Sequence, residues 1–228
     1  LVHCETTTGI LNPLQAVADA VAAEGRALIV DAMSSFGALP IDLRATPIAA
    51  LLASSNKCLE GPPGIGFAIV ARAALESAGP AASLSLDLKA QWQGFEKNGQ
   101  WRFTPPVQVV AGTVKALELL EAEGGPSARL ARYRNNFTTL LAGMKRLGFT
   151  PYLDDAVQSP IIATFRTPPA WHLTFDQFYD ALAARGYLIY PGKLTGADTF
   201  RIGCIGAVIS GDFEKLLGAM DDILRRPA

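Results

Sequence analysis

Short apolar runs that break off at polar or charged residues mark the first quarter of the chain. Residues 27–30, Ala-Leu-Ile-Val, end at Asp31, and residues 50–53, Ala-Leu-Leu-Ala, end at Ser54-Ser55-Asn56-Lys57. Runs of this kind predict buried parallel strands whose carboxyl ends carry the polar groups. Between residues 1 and 27, Leu14, Val17, Ala18 and Val21 recur at helical spacing, which predicts a helix capped by Asn12, begun by Pro13 and stopped near Gly25. Leu1-Val2-His3-Cys4 reads as the end of a buried strand whose start is expected upstream, and Glu5-Thr6-Thr7-Thr8-Gly9 as a polar turn. The order strand, helix, strand, loop, strand predicts a right-handed crossover series in one parallel sheet. Residues 66–70 can return as an antiparallel strand after the turn Gly61-Pro62-Pro63-Gly64.

Residues 80–105 have little periodicity, and a connection of that length inside a folded domain is usually functional. A helix is predicted from Pro106 through Val110, Val114, Leu117 and Leu120 to Gly124-Gly125, and a longer amphipathic one over 129–147, ending at Gly148. The pattern then changes. Residues 149–153, 161–165, 187–190 and 200–202 read as strands and residues 174–185 and 211–225 as helices, together a small α+β layer. The expected division is therefore 1–148, part of a larger sheet domain with its linking helices, and 149–228, a small domain.

Composition narrows the class. Half of the 228 residues are hydrophobic and 18% are charged, which fits a well-buried, oligomeric protein and excludes disorder of the whole chain. A formal net charge of −1 and a pI near 6.2 offer no footprint for nucleic acid or an anionic membrane. No apolar run approaches the roughly 20 residues of a membrane span. Three scattered cysteines, Cys4, Cys58 and Cys204, supply neither a disulfide framework nor a metal site; a reducing, cytoplasmic setting is expected.

Candidate chemistry sits at the predicted strand ends, where open α/β sheets bind ligands. Lys57 is either a surface lysine or an amine whose pKa is lowered by its setting enough to attack an aldehyde. Asp31 is either a local cap or a carboxylate able to hold a pyridine nitrogen protonated. Such an acid and amine on two strands of one sheet suit a pyridoxal phosphate enzyme. Ser54, Ser55, Asn56 and Thr104 offer donors to a phosphate ester, although short polar residues in turns often serve only the backbone. Gly61-Pro62-Pro63-Gly64-Ile65-Gly66 is a poor phosphate cradle, because it feeds a strand and two of its residues lack amides. Arg201, alone in an apolar strand, is either ion-paired or aimed at a carboxylate. His3 reads as a hydrogen-bonded core residue before a catalytic base, and Cys58 as a small buried hydrophobe before a nucleophile.

Several blocks, in order and spacing, resemble the 2-aminoethylphosphonate:pyruvate transaminases of the class V aminotransferase group. They are His3-Cys4-Glu5-Thr6-Thr7-Thr8-Gly9, Val30-Asp31-Ala32-Met33-Ser34-Ser35-Phe36-Gly37, Ser54-Ser55-Asn56-Lys57-Cys58, Trp101-Arg102-Phe103-Thr104-Pro105-Pro106, Gln158-Ser159-Pro160-Ile161-Ile162, and Tyr190-Pro191-Gly192-Lys193 with Phe200-Arg201-Ile202-Gly203. The resemblance implies the α/β architecture of fold type I aminotransferases: part of a large, mostly parallel sheet domain followed by a small α+β C-terminal domain. It implies pyridoxal 5'-phosphate held by a Schiff base on Lys57 and paired through its ring nitrogen with Asp31. Thr6 would lie near the ring hydroxyl, Met33 beside the cofactor and Asn56 near its phosphate, while Thr104 would reach the phosphate in the partner subunit of a homodimer. Arg201 would hold the carboxylate of the amino or keto acid. No metal is implied. The small-molecule substrates would be 2-aminoethylphosphonate and pyruvate, the products phosphonoacetaldehyde and L-alanine. Chains of that group also carry a preceding amino-terminal part with a Gly-rich phosphate turn and a ring-stacking residue, neither present in these 228 residues.

Three other readings stay open at this point. An alanine:glyoxylate or serine:pyruvate transaminase would share Lys57, Asp31 and Arg201. A cysteine desulfurase would need a nucleophilic cysteine on a mobile loop. A catalytically inactive fragment would retain only the fold and the dimer contacts.

Overall fold

The computed structural model describes residues 1–168 and 171–225. Strand β1 (Ile29–Asp31) pairs in parallel with β2 (Ala50–Ser54), and β2 pairs antiparallel with β3 (Gly66–Val70). Residues 1–4 run along the free edge of β1, where Asp31 N donates to Leu1 O and His3 N to Asp31 O, both at 2.8 Å. Val30, Leu51 and Ala53 point to one side and are fully buried against Leu14 and Ala18 of helix α1 (Leu14–Ala23). The α1 terminus follows the sequence: Gly25 takes φ +62°, Arg26 N reaches Val21 O and Gly25 N reaches Ala22 O, closing the last turn. Its start does not. Asn12 Nδ2 donates to Val2 O at 2.7 Å, so Asn12 braces the edge strand and leaves α1 without a side-chain cap.

Two helices follow β3: α2 (Arg72–Ser77) and α3 (Leu88–Asn98). The expected structureless stretch 80–105 is thus interrupted by three turns of helix. None of the α3 residues is buried, so there is no apolar stripe to read; what defines it is its ends, with Asp87 accepting from Ala90 N and Gly99 in the left-handed region. Helices α4 (Val107–Glu123) and α5 (Gly125–Arg146) are separated only by Gly124, at φ +109°. Pro126 occupies the first turn of α5, which therefore begins before residue 129.

Strands β4 (Thr150–Pro151), β5 (Ile162–Arg166), β6 (Tyr190–Pro191) and β7 (Thr199–Gly203) make a second, antiparallel sheet in the order β4-β5-β7-β6. The expected strand over 187–190 shrinks to Tyr190–Pro191 because Ile189 turns into the core. Helices α5, α6 (Phe175–Ala183) and α7 (Ser210–Leu224) cover one face, burying Leu140, Met144, Phe178, Leu182, Phe213 and Met220. Rings of Phe149, Trp171, Phe178 and Phe200 meet edge to face at 5.0–5.8 Å. Helix α6 has the full capping box, Thr174 with Gln177. The other face of the sheet carries Thr164 and Arg201, opposite each other in register, and it abuts turn 5–9. Helix α5 belongs to both cores: Leu130 and Tyr133 pack with Cys4, Cys58 and Ile161, and Leu140 and Met144 with the second sheet.

Among the described residues no helix is long and apolar enough to cross a membrane, and no cluster of three His, Cys, Asp or Glu side chains could hold a metal ion.

His3 is buried with Nδ1 3.0 Å from Ser35 Oγ, and burial lowers its pKa below the ordinary 6.5. The unfolded chain therefore takes up the proton first: the stability due to neutral His3 is present above about pH 6.5 and is lost as pH falls toward the folded value. Urea midpoints should consequently fall less between about pH 7.5 and 5.5 in His3→Gln than in the parent. Equal falls would show that His3 does not take part in acid destabilisation.

Candidate active site

The turn after β2 is fixed by what it buries. Cys58 and Leu59 point inward, Cys58 Sγ donates to Ser34 O at 3.3 Å, and Leu59 lies against Gly37, whose φ is +94° and where a Cβ would strike Leu59. The turns after β1 and β2 are thereby locked together, and Lys57, between exposed Asn56 and buried Cys58, stands beyond the carboxyl end of β2. Glu60 N closes the turn on Lys57 O at 2.9 Å. Ser55 is unavailable to a phosphate: it is fully buried, and its hydroxyl donates to Pro62 O at 2.6 Å. That bond shapes the loop 61–64 as a hairpin connection.

Lys57 lines a cavity of about 370 Å³ with Thr6, Ser34, Tyr190, Lys193 and Arg201. Thr6 is held there by its turn. The Glu5 carboxylate accepts from Thr7 N, from Thr8 N at 3.0 Å and from Thr8 Oγ1 at 2.8 Å, and Gly9 is at φ +95° where a Cβ would hit Ile162 O. Burial works to raise the pKa of Glu5, but these hydrogen bonds outweigh it and hold the carboxyl below its usual range. Arg201, 6% exposed, donates from Nε to Pro191 O at 3.1 Å and from Nη1 to Thr6 O at 2.8 Å, and its guanidinium lies 5.6 Å from the Tyr190 ring. It is paired with no carboxylate among the described residues. Two carbonyls orient it without neutralising it, which is how a guanidinium is kept ready for an anion.

Of the residues singled out from sequence, Lys57, Thr6 and Arg201 share this cavity, although Lys57 and Arg201 are 144 positions apart. Asn56 lies on the other side of Lys57, in a hollow of about 520 Å³ with Glu60 and Arg129. Asp31 stands at the end of β1, exposed, one oxygen accepting from Met33 N at 2.9 Å. That bond is the local turn function weighed from sequence, and the second carboxylate oxygen has no bond among the described residues. Met33 joins this turn and does not line the cavity. Thr104 is exposed in the loop between α3 and α4, away from Lys57.

Sequence reasoning missed a charged network beneath Lys57. Arg129, 2% exposed, donates to Cys58 O at 2.7 Å and to Glu123 at 2.7 Å. Arg132 binds Glu123 at 2.8 Å and Glu60 at 2.9 Å, and also donates to Gly206 O and Val208 O. Tyr133 donates to Glu60 at 2.6 Å, and Asn136 to Val208 O at 3.0 Å. The bond from Arg132, with that from Arg129, holds Glu123 below the ordinary carboxyl range. Glu60 has φ +59°, a left-handed conformation that costs about 1–2 kcal/mol without glycine and that Arg129, at 3.7 Å, Arg132 and Tyr133 hold in place. The available signal was arginine at i and i+3 beside Leu130 and Tyr133, that is, charge on the inward face of α5.

All three thiols are buried, and burial pushes Cys58 up to about 12 and raises Cys204 and Cys4 as well, unlike the exposed, mobile-loop nucleophile of a desulfurase.

Deleting one member of a buried ion-pair network leaves the other members uncompensated. Arg129→Met is therefore expected to lower unfolding free energy in urea by about 3–5 kcal/mol. A loss under about 1 kcal/mol, the usual worth of an exposed pair, would show that the network is solvated.

The family model described as Aminotransferase class-V matches residues 1–179. The 2-aminoethylphosphonate–pyruvate transaminase 2 of Polaromonas sp. is 52% identical over 98% of this chain, and the 2-aminoethylphosphonate–pyruvate transaminase of Burkholderia ambifaria 53% identical over 98%. The chain spans 61% and 60% of the length of those relatives. The crystal structure of pyridoxamine-pyruvate aminotransferase from Mesorhizobium loti superposes with a TM-score of 0.86 at 27% identity, over the whole of this chain and 60% of that one.

Proposed function

The chain belongs to the class V aminotransferases, with the fold type I architecture, and on that premise we propose that it is part of a pyridoxal 5'-phosphate-dependent transaminase that moves the amino group of 2-aminoethylphosphonate to pyruvate. The observation that carries the reading is the cavity that Lys57, beyond a strand end, lines together with Arg201, oriented by two carbonyls and paired with no carboxylate among the described residues. The identity of just over one half to transaminases named for these two substrates supports the choice of substrates.

The residues present fit the cofactor. The amine of Lys57 and the hydroxyls of Thr6 and Ser34 line one cavity, and on the turn after β1 stands a carboxylate with one oxygen unbonded among the described residues. When bound, pyridoxal phosphate supplies an aldehyde that takes the amino group and a ring that accepts the electron pair left on the substrate carbon. Lys57 would hold the cofactor, and its amine would serve to move the proton at the carbon that bears the amino group. Asp31 would keep the ring nitrogen protonated, which an acceptor-only carboxylate can do and an amide cannot. Thr6 would lie near the ring hydroxyl, while Met33 and Asn56, which by resemblance would flank the ring and the phosphate, stand on the adjoining turns outside the cavity that Lys57 shares with Arg201. Arg201 takes the carboxylate attached to the reacting carbon. The balance is 2-aminoethylphosphonate plus pyruvate giving phosphonoacetaldehyde plus L-alanine. The reading includes a cytoplasmic homodimer in which Thr104 serves the partner's site, which accords with its exposure beside Trp101 and Phe103, and a division of the chain near residue 148.

The experiment uses the full-length protein with pyridoxal phosphate, following each half-reaction separately. Amino transfer from 2-aminoethylphosphonate to pyruvate, with equal amounts of phosphonoacetaldehyde and alanine, is expected; amino transfer between alanine and glyoxylate alone would favour the related transaminase reading. Arg201→Ala should lower kcat/KM for alanine and pyruvate by about 30- to several thousand-fold, the loss of a charge-assisted bidentate contact. An unchanged constant with a lowered melting temperature would make Arg201 structural. Asp31→Asn should keep the cofactor bound while slowing the single-turnover rate; an unchanged rate would exclude the nitrogen pairing.

A further inference from the structure

Lys193 is the one charged group of the cavity to which the reaction as described gives no task. It is exposed on the segment that leaves β6, lines the same cavity as Lys57 and Arg201, and is paired with no carboxylate among the described residues. Its position is built rather than incidental. Strand β6 pairs with β7 so that Tyr190 stands opposite Arg201, Pro191 O accepts from Arg201 Nε, and Gly192 passes so close to Thr199 that a Cβ there would strike its carbonyl and hydroxyl. The chain is thereby held against β7 one residue before Lys193. Among the described residues the lining contains three cationic side chains and no Asp or Glu.

Substrate chemistry supplies the reason for a second cation. In alanine the anionic group is bonded directly to the carbon that carries the amino group. In 2-aminoethylphosphonate it is one carbon further away, about 1.5 Å for the extra bond. With the amino-bearing carbon fixed at Lys57, the two anions cannot occupy the same point. They also differ in charge: a carboxylate carries one negative charge, whereas a phosphonate, like a phosphate ester, carries close to two near neutrality. Lys57 is committed to the cofactor and to proton transfer, so Arg201 alone would under-neutralise the phosphonate. We propose that Lys193 is the specificity-determining residue for the phosphonate group, taking the second charge of the aminophosphonate at the cavity rim while Arg201 takes the carboxylate of the amino and keto acid. This inference rests on the reading of the substrates given above. A lysine, as a mobile point charge on a flexible stem, suits an anion that is present in only one of the two half-reactions.

The test uses the full-length protein with Lys193→Met and Lys193→Arg, and two measurements. The first is each half-reaction separately. Lys193→Met should lower kcat/KM for 2-aminoethylphosphonate by about 10- to 100-fold, through KM, with alanine and pyruvate changed by less than about threefold. Lys193→Arg should restore most of the loss. The fall in KM that accompanies the second ionisation of the phosphonate in the parent should flatten in Lys193→Met. The second measurement is titration calorimetry with the unreactive anions ethylphosphonate and propionate. Lys193→Met should weaken ethylphosphonate alone. If the parent transaminates 2-aminoethylphosphonate but Lys193→Met changes neither its constants nor ethylphosphonate binding, or weakens both anions equally, the assignment of Lys193 is wrong and the proposed function stands. If the parent does not use 2-aminoethylphosphonate, yet ethylphosphonate binds and loses affinity in Lys193→Met, the proposed function is wrong and Lys193 remains the phosphonate ligand. Absence of ethylphosphonate binding in the parent would overturn the assignment outright.

Discussion

The charged network between α5 and the turn after β2 is the constraint on which the site depends. Lys57 and Arg201 stand on different sheets, and neither sheet by itself fixes the distance between them. Arg129 grips the carbonyl of Cys58 next to Lys57, while Arg132 reaches both Glu60 and the carbonyls of Gly206 and Val208, just beyond the strand that carries Arg201. One helix therefore reads the position of both halves of the cavity. Buried ion pairs contribute little net stability relative to apolar packing, because desolvation offsets attraction. Their directional bonds, however, tolerate little displacement, and position is what a reaction at a single carbon requires.

A second set of contacts closes the cavity from the opposite side. Turn 5–9, organised by Glu5, offers Thr6 O to Arg201 and Thr7 O to Thr164, and Gly9 O receives Ser159 N. The turn can come this near to β5 only because residue 9 has no Cβ. The guanidinium is thus oriented by two backbone carbonyls contributed by separate segments, residues 6 and 191, and its charge is left over for a ligand. Strand pairing, a glycine and a carboxylate-bound turn together hold this guanidinium without a carboxylate partner among the described residues.

Much of this was legible in the sequence, for identifiable reasons. The strands at Asp31 and before Lys57 were marked by apolar runs that stop abruptly, and the helix stop at Gly25 by its left-handed glycine. The isolation of Arg201 in an apolar strand marked it as anion-binding or paired, and the structure shows it unpaired among the described residues. The rest depends on contacts between distant segments. Helix α3 buries nothing and left no periodic trace. Asn12 had a cap's sequence but found the Val2 carbonyl across the edge strand. Arg129 and Arg132 were not singled out within the amphipathic helix, because only the arrival of Glu60 and the 206–208 loop against that face makes them internal. Lys193 lies in a loop whose proximity to Lys57 is created by the β6–β7 pairing.

The central claim is that Lys57 is the point at which the cofactor is attached. Full-length protein loaded with pyridoxal phosphate would be reduced with borohydride, digested, and its peptides weighed by tandem mass spectrometry. The account predicts one pyridoxyl-phosphate adduct, on the peptide that contains Lys57, at close to one per chain. An adduct on Lys193 or another lysine, with Lys57 unmodified, would contradict it.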